Sequence, residues 1–229
     1  MKVLISHGSG GIGPAELNMQ KVLESAGYEV LLLNNFAKHN IKMLRWNAKS
    51  EPDDYNCTFD EMFNYDFSED EDLIHIGFSL GGFFGLKHSD KFIKNYLFYP
   101  GIFGFTKEML QRDYHNTMVF MASEDGGAYK YYNFEKQAKS PPNKYLLVGT
   151  HHGFMIEGSD REIDMVSYGG NWGNLMDDSE FLELKPNHAY LSNRYGHTSR
   201  SAVIKHHPEF SHTYSVIVKE DIDETVSRL

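Results

Sequence analysis

The chain has 229 residues, 41% hydrophobic and 24% charged, with a formal net charge of −10. That supplies enough apolar residues for a packed core and excludes wholesale disorder. An acidic balance without any basic stretch argues against a nucleic-acid partner and against an anionic membrane surface. Cys57 is the single cysteine, so no intramolecular disulfide can form and a reducing, cytoplasmic setting is expected. The apolar run at Met1–Ser6 is too short for a signal peptide or a membrane span.

Lys2–Ser6 reads as a short buried strand. The glycine-rich turn Gly8–Gly13 follows, and Pro14 suits the first turn of a helix. Leu17, Val22, Leu23 and Ala26 recur at helical spacing up to Gly27, a helix terminator. Tyr28–Leu33 is a second apolar run, ending in Asn34 and Asn35. From Phe36 to Glu71 the chain is polar and irregular, with a loop expected at Glu51–Asp54 and a short aromatic-anchored helix within Phe59–Phe67. Leu73–Phe78 is the third strand, followed by a helix from Leu80 to about Lys87. Tyr96–Tyr99, Met118–Ala122 and Lys144–Val148 are three further strands. Ala128–Ala138 suits a helix, which Pro141 and Pro142 break before the last of these strands.

About six strands with intervening helices imply an α/β protein, a mainly parallel sheet covered on both faces. The tail from Met155 to Leu229 differs: it is polar and rich in His, Tyr and Gly. Only Tyr214–Val218 and the acidic helix candidate after it look regular. A core over residues 1–156 is expected, with residues 157–229 as a C-terminal extension of the same domain, carrying a closing helix and a lid or interface segment.

Gly77-Phe78-Ser79-Leu80-Gly81 matches the G-x-S-x-G nucleophile elbow. In that motif a serine occupies a tight strand-to-helix turn, and its flanking glycines avoid collision with neighbouring backbone. The context fits, because Leu73–Phe78 reads as a strand and Leu80 onward as a helix. The alternative is an ordinary glycine-rich strand–helix turn. A serine nucleophile needs a base, and the base an orienting acid. Ser123-Glu124-Asp125 follows one strand candidate, and Gly149-Thr150-His151-His152 follows the next. Glu124 and Asp125 compete for the acid, and His151 and His152 for the base. Solvated loop residues are the alternative for each pair. The N–H of Leu80 and the loop His7-Gly8-Ser9-Gly10-Gly11, through the N–H of Ser9, are the candidate oxyanion donors.

Together these segments resemble the dienelactone-hydrolase-like branch of the α/β-hydrolases. The resemblance runs over residues 1 to about 156 and rests on the His7–Gly11 loop, Gly77–Gly82, Phe98-Tyr99-Pro100-Gly101, Ser123–Asp125 and Gly149–Phe154. It implies the α/β-hydrolase fold and hydrolysis of small carboxylic esters or lactones without a metal or other cofactor. It assigns the acid to Asp125 and the base to His152, two residues before Phe154. Dienelactone hydrolases carry a cysteine nucleophile; Ser79 stands here, which suggests esterase-like chemistry. The segment before the elbow is shorter than in the family, and the tail beyond Phe154 has no clear counterpart.

Two other classes compete. Gly8-Ser9-Gly10-Gly11-Ile12-Gly13 fits the dinucleotide fingerprint, and Tyr132 and Lys136 have the Y-x-x-x-K spacing of short-chain dehydrogenases. Against this, the second strand ends without an acid to grip a ribose. A non-catalytic binding module on the same fold is the third reading. His188, His197, His206, His207 and His212 have no recognised metal-ligand spacing, so no metal is expected. The expected partner is a small-molecule ester or lactone, and the sequence leaves self-association open.

Overall fold

The computed structural model describes residues 1–44, 55, 57–62, 64–67, 72–169 and 173–228. The loop expected at Glu51–Asp54 lies outside the described residues. In chain order the elements are β1 (Lys2–Ser6), α1 (Pro14–Ser25), β2 (Glu29–Leu33), α2 (Phe59–Met62), β3 (Leu73–Phe78), α3 (Leu80–Lys87), β4 (Lys94–Phe98) and α4 (Lys107–Gln111). They continue with β5 (Thr117–Ala122), α5 (Ala128–Gln137), β6 (Asn143–Leu147), β7 (Asp160–Tyr168), α6 (Asp178–Leu182), α7 (His188–Tyr195), β8 (His197–Lys205) and α8 (Pro208–Arg228).

Local chemistry explains the boundaries. Every residue of β3 is buried, His75 included, so the strand shows no alternation of covered and exposed positions. Pro14 opens α1, and the Glu16 carboxylate accepts the Gly13 N–H at 2.9 Å, half of a capping box. The helix closes with Gly27 at φ +91° and the Tyr28 N–H on the Leu23 carbonyl. Thr58 and Glu61 cap α2 reciprocally, at 2.7 and 3.1 Å. That helix is shorter than the expected Phe59–Phe67, because the Asn64 N–H already closes the turn on the Glu61 carbonyl. Tyr65 and Phe67 still anchor the segment against the core, without being helical.

The six strands pair in the order β2-β1-β3-β4-β5-β6, every pair parallel. Ser6 pairs with Gly77 and Phe78 with Phe98, so the strand ends that carry the site lie along one edge. One face packs under α3, α4 and α5 through Phe83, Phe84, Met109 and Phe134. The other packs under α1 and α8 through Met19, Leu23, Val218 and Ile222. The expected fold class, a parallel sheet with helices on both faces and a C-terminal extension, is the one observed.

The tail is more regular than its composition suggests. β7 and β8 form an antiparallel ribbon, Asp160 opposite Lys205 through Tyr168 opposite His197, which the sequence did not announce. The run Tyr214–Val218 lies inside α8, where Ser215, Val218 and Ile222 face the core. Asp221 on that helix accepts the Tyr96 hydroxyl at 2.5 Å and pairs with Lys94 at 3.2 Å, fastening α8 to β4. No helix among the described residues is long and apolar enough to cross a membrane.

Inside the sheet a polar chain crosses four strands. Asn95 donates to the Gly85 carbonyl at 2.9 Å and to Thr117 Oγ1 at 3.2 Å, which uses both its amide hydrogens. Its Oδ1 therefore accepts from His75 Nδ1 at 2.7 Å. His75 Nε2 in turn accepts the Ser6 hydroxyl. All four side chains are essentially solvent-free.

Candidate active site

Ser79 alone forms the turn between β3 and α3. Its φ is +51°, in the left-handed region that a residue with a side chain seldom occupies. The turn survives because its neighbours are glycines. A Cβ at Gly77 would run into the carbonyl of Gly81, and one at Gly81 into the carbonyl of Ser6. The Ser79 N–H donates to the Phe98 carbonyl at 2.9 Å, and the Gly101 N–H to the Ser79 carbonyl at 2.8 Å. The elbow is thus bolted to the end of β4.

The loop after β6 brings His152 over this turn. Ser79 Oγ lies 3.0 Å from His152 Nε2, and His152 Nδ1 lies 2.8 Å from Asp125 Oδ2. The other oxygen of Asp125 accepts the Gly127 N–H at 2.7 Å, which fixes the carboxylate plane. A carboxylate only accepts, so the imidazole carries its proton on Nδ1 and turns a lone pair toward the Ser79 hydroxyl. The Asp125 side chain is 4% exposed and that of His152 is 27% exposed. Burial alone would lower the imidazole pKa. The charge and hydrogen bond of Asp125 outweigh it and hold the pKa above the ordinary 6.5.

Of the competing pairs, only Asp125 and His152 enter this line. Glu124 is exposed, and its carboxylate accepts the Ser123 hydroxyl at 3.0 Å. His151 turns away to His207, 3.3 Å from ring nitrogen to ring nitrogen. The His152 loop is fastened from the tail, by the Lys205 N–H on the His152 carbonyl and the His207 N–H on the Phe154 carbonyl.

Leu80 opens α3, so its N–H belongs to the first turn and lacks an intrahelical acceptor. Ser9 lies in the loop after β1, where its carbonyl accepts the Leu44 N–H at 2.8 Å. Two neighbours carried no individual role in the sequence. Tyr99 is buried at φ +39°, with its ring 4.8 Å from that of His152 and its hydroxyl without a hydrogen-bond partner. Burial pushes its pKa well up, helped by the charges of Glu16 and Asp125. Glu16 reads in sequence as an ordinary first-turn acid. Only the folded loop shows that it also reaches back to Gly8.

The strand order β2-β1-β3-β4-β5-β6, with a left-handed serine between β3 and its helix and a histidine loop after the last strand, decides the architecture. The chain has the α/β-hydrolase fold. No family model matches the sequence, and no curated protein does. Among solved structures it is similar to an α/β serine hydrolase homologue from Coxiella burnetii, 17% identical over 67% of this chain and 77% of that one, at TM-score 0.46. A dienelactone hydrolase-like promiscuous phosphotriesterase from metagenomic libraries is 13% identical over 67% and 72%, also at 0.46. An α/β serine hydrolase without a lid from Xanthomonas campestris is 14% identical over 66% and 72%, at 0.45. Likenesses this remote carry no argument about chemistry, which rests on the site itself.

Tyr132 and Lys136, the dehydrogenase pair, lie on α5 between β5 and β6, at the other end of the strand order from β1 and the glycine loop that follows it. Lys144, near the start of β6, sits 4.7 Å from the centroid of the Tyr132 ring, toward the sheet edge opposite the Gly8–Gly13 turn. Among the described residues no group of three or more His, Cys, Asp or Glu could hold a metal ion.

Proposed function

We propose that the chain is a serine hydrolase of the dienelactone-hydrolase-like kind, cleaving a small carboxylic ester or lactone through an acyl-enzyme. The observation that carries this reading is the unbroken line Ser79 Oγ–His152 Nε2 and His152 Nδ1–Asp125 Oδ2, at 3.0 and 2.8 Å. His152 takes the proton of Ser79 as the hydroxyl attacks the ester carbonyl. Asp125 keeps the imidazole in the productive tautomer and stabilises its cation. The oxyanion is held by the N–H groups of Ser9 and Leu80, each contributing about 3–4 kcal/mol to the barrier reduction. The imidazolium then protonates the leaving alkoxide. Water, deprotonated by the same imidazole, releases the acyl group and restores Ser79.

Every group needed sits on a strand end of the same sheet edge, which supports the reading over an inert module. Residues 1–156 supply the chemistry, and residues 157–229 buttress it, through β8 on the His152 loop and α8 on the sheet. The test is turnover of an activated small ester such as a nitrophenyl acetate by the purified chain. Ser79→Ala should remove it while the circular dichroism and melting transition stay unchanged. Undiminished turnover by that variant would end the proposal.

A further inference from the structure

We infer that Glu16 is a positioning residue for the proposed hydrolysis, fixing through its buried carboxylate the direction in which the Ser9 amide points. This role rests on the hydrolase reading given above. Glu16 is 5% exposed, and its carboxylate accepts two backbone amides, Gly13 N–H on Oε2 at 2.9 Å and Gly8 N–H on Oε1 at 3.2 Å. The first of these bonds caps α1, as a glutamate at the third helical position commonly does. The second does nothing for the helix. It spans eight residues and closes the glycine turn into a ring.

The ring matters because of what it fixes. The Gly8 carbonyl accepts from His7 Nδ1 at 2.8 Å and from the Gly11 N–H at 3.1 Å. In a trans peptide unit a carbonyl and the following N–H point in opposite directions. Holding the Gly8 carbonyl therefore aims the Ser9 N–H, the candidate oxyanion donor. Glu16 secures the nitrogen side of Gly8 while His7 and Gly11 secure its oxygen side. The same glycine lies against the nucleophile: a Cβ on Gly8 would stand 3.4 Å from the Cβ of Ser79. A rotation of the Gly8 unit would thus move the donor relative to Ser79 without altering the core beneath. Burial costs the carboxylate some of its acidity, and the two amides offset part of that cost.

The account separates Glu16 from a merely structural cap. Losing the Gly8 bond should weaken transition-state stabilisation and leave ground-state binding alone, because an oxyanion donor acts chiefly once charge develops. The test compares wild type, Glu16→Gln and Glu16→Ala on one small ester, with active sites counted by fluorophosphonate titration and folding followed by thermal melts. Glu16→Ala should lose about ten- to a hundredfold in kcat per titrated site, with KM within about twofold of wild type. Glu16→Gln keeps one acceptor oxygen and should recover part of that loss; it also carries the test if the alanine variant does not fold. A lowered melting temperature with kcat per site unchanged in the folded variants would reduce Glu16 to a helix cap and overturn the inference. A wild-type chain whose Ser79 neither turns over esters nor reacts with the phosphonate would instead overturn the hydrolase reading, and this role with it.

Discussion

Two serine–histidine chains run through this molecule, and their contrast separates chemistry from architecture. Ser79–His152–Asp125 stands at the strand ends, with a carboxylate at its far end and the imidazole partly open to solvent. Ser6–His75–Asn95 lies inside the sheet, with a neutral amide at its far end and no exposure. The carboxylate lifts the pKa of His152 against the pull of burial. His75 lacks such a charge, and burial drops it to about 4 despite the Asn95 bond. A base must accept a proton and carry the charge, which only the first chain is built to do. The second fixes one neutral tautomer and locks β1, β3, β4 and α3 beneath the elbow. On the proposed reading the same residue types do opposite work, and the far-end partner together with solvent access decides which.

The largest effect should fall on the outer chain. Asp125→Asn leaves the shape but disfavours the productive tautomer, and kcat should drop by about 10⁴ in a steady-state ester assay. A loss of less than tenfold would erase the distinction between the two chains. The inner chain should respond in stability instead. His75→Leu strands the Ser6 hydroxyl and Asn95 Oδ1, and chemical denaturation should show a loss of about 3 kcal/mol. Equal stability would mean that the buried network is dispensable.

Much of this contrast was invisible before folding. The inner sheet strands were legible because strands covered on both faces are largely apolar runs, as in Leu73–Phe78 and Lys2–Ser6, and the more exposed edge strands β2 and β6 because they too hold short apolar runs. The elbow was legible because the glycines at 77 and 81 are steric requirements. The β7–β8 ribbon was not, since a two-stranded ribbon with exposed polar positions such as Arg161, Glu162 and Ser201 carries no strong apolar period. Composition and order along the chain left Glu124 beside Asp125 and His151 beside His152 as open pairs. Loop backbone direction, which no local residue preference encodes, chose between each. Glu16 and His75 are not legible in the sequence either: Gly8 meets Glu16 only once the glycine turn has folded, and the partners of His75 lie on neighbouring strands.

The pH responses sharpen the comparison further. His75 has a folded value of about 4 against an ordinary 6.5. Between those values the unfolded chain binds a proton that the folded chain refuses, so stability falls as pH falls. The loss should reach about 3 kcal/mol from pH 6.5 to 4, and His75→Leu should remove that slope in pH-dependent melts. His152 has the opposite sign: its folded pKa lies above 6.5, so its contribution is full below 6.5 and fades as pH rises through the folded value. Turnover follows the neutral base, and the acid limb of the kcat/KM profile, which reports the free enzyme, should have its midpoint above 6.5. A midpoint near 4 would place the working base in the wrong chain.

The smallest effect belongs to Tyr99. Its ring packs on His152, while its buried hydroxyl bonds nothing. Tyr99→Phe removes an unsatisfied group and keeps the ring, so stability should stay within about 1 kcal/mol of wild type or rise. A marked fall in the melting temperature would show that the phenol oxygen has a role that the packing does not reveal.

Mapping the site of a fluorophosphonate adduct on the intact chain by peptide mass spectrometry bears most directly on the account. A single adduct at Ser79, absent from Asp125→Asn under the same brief exposure, is the result expected. An adduct on any other serine, with Ser79 unmodified, would contradict the claim that the strand-end histidine and its carboxylate make that hydroxyl a nucleophile.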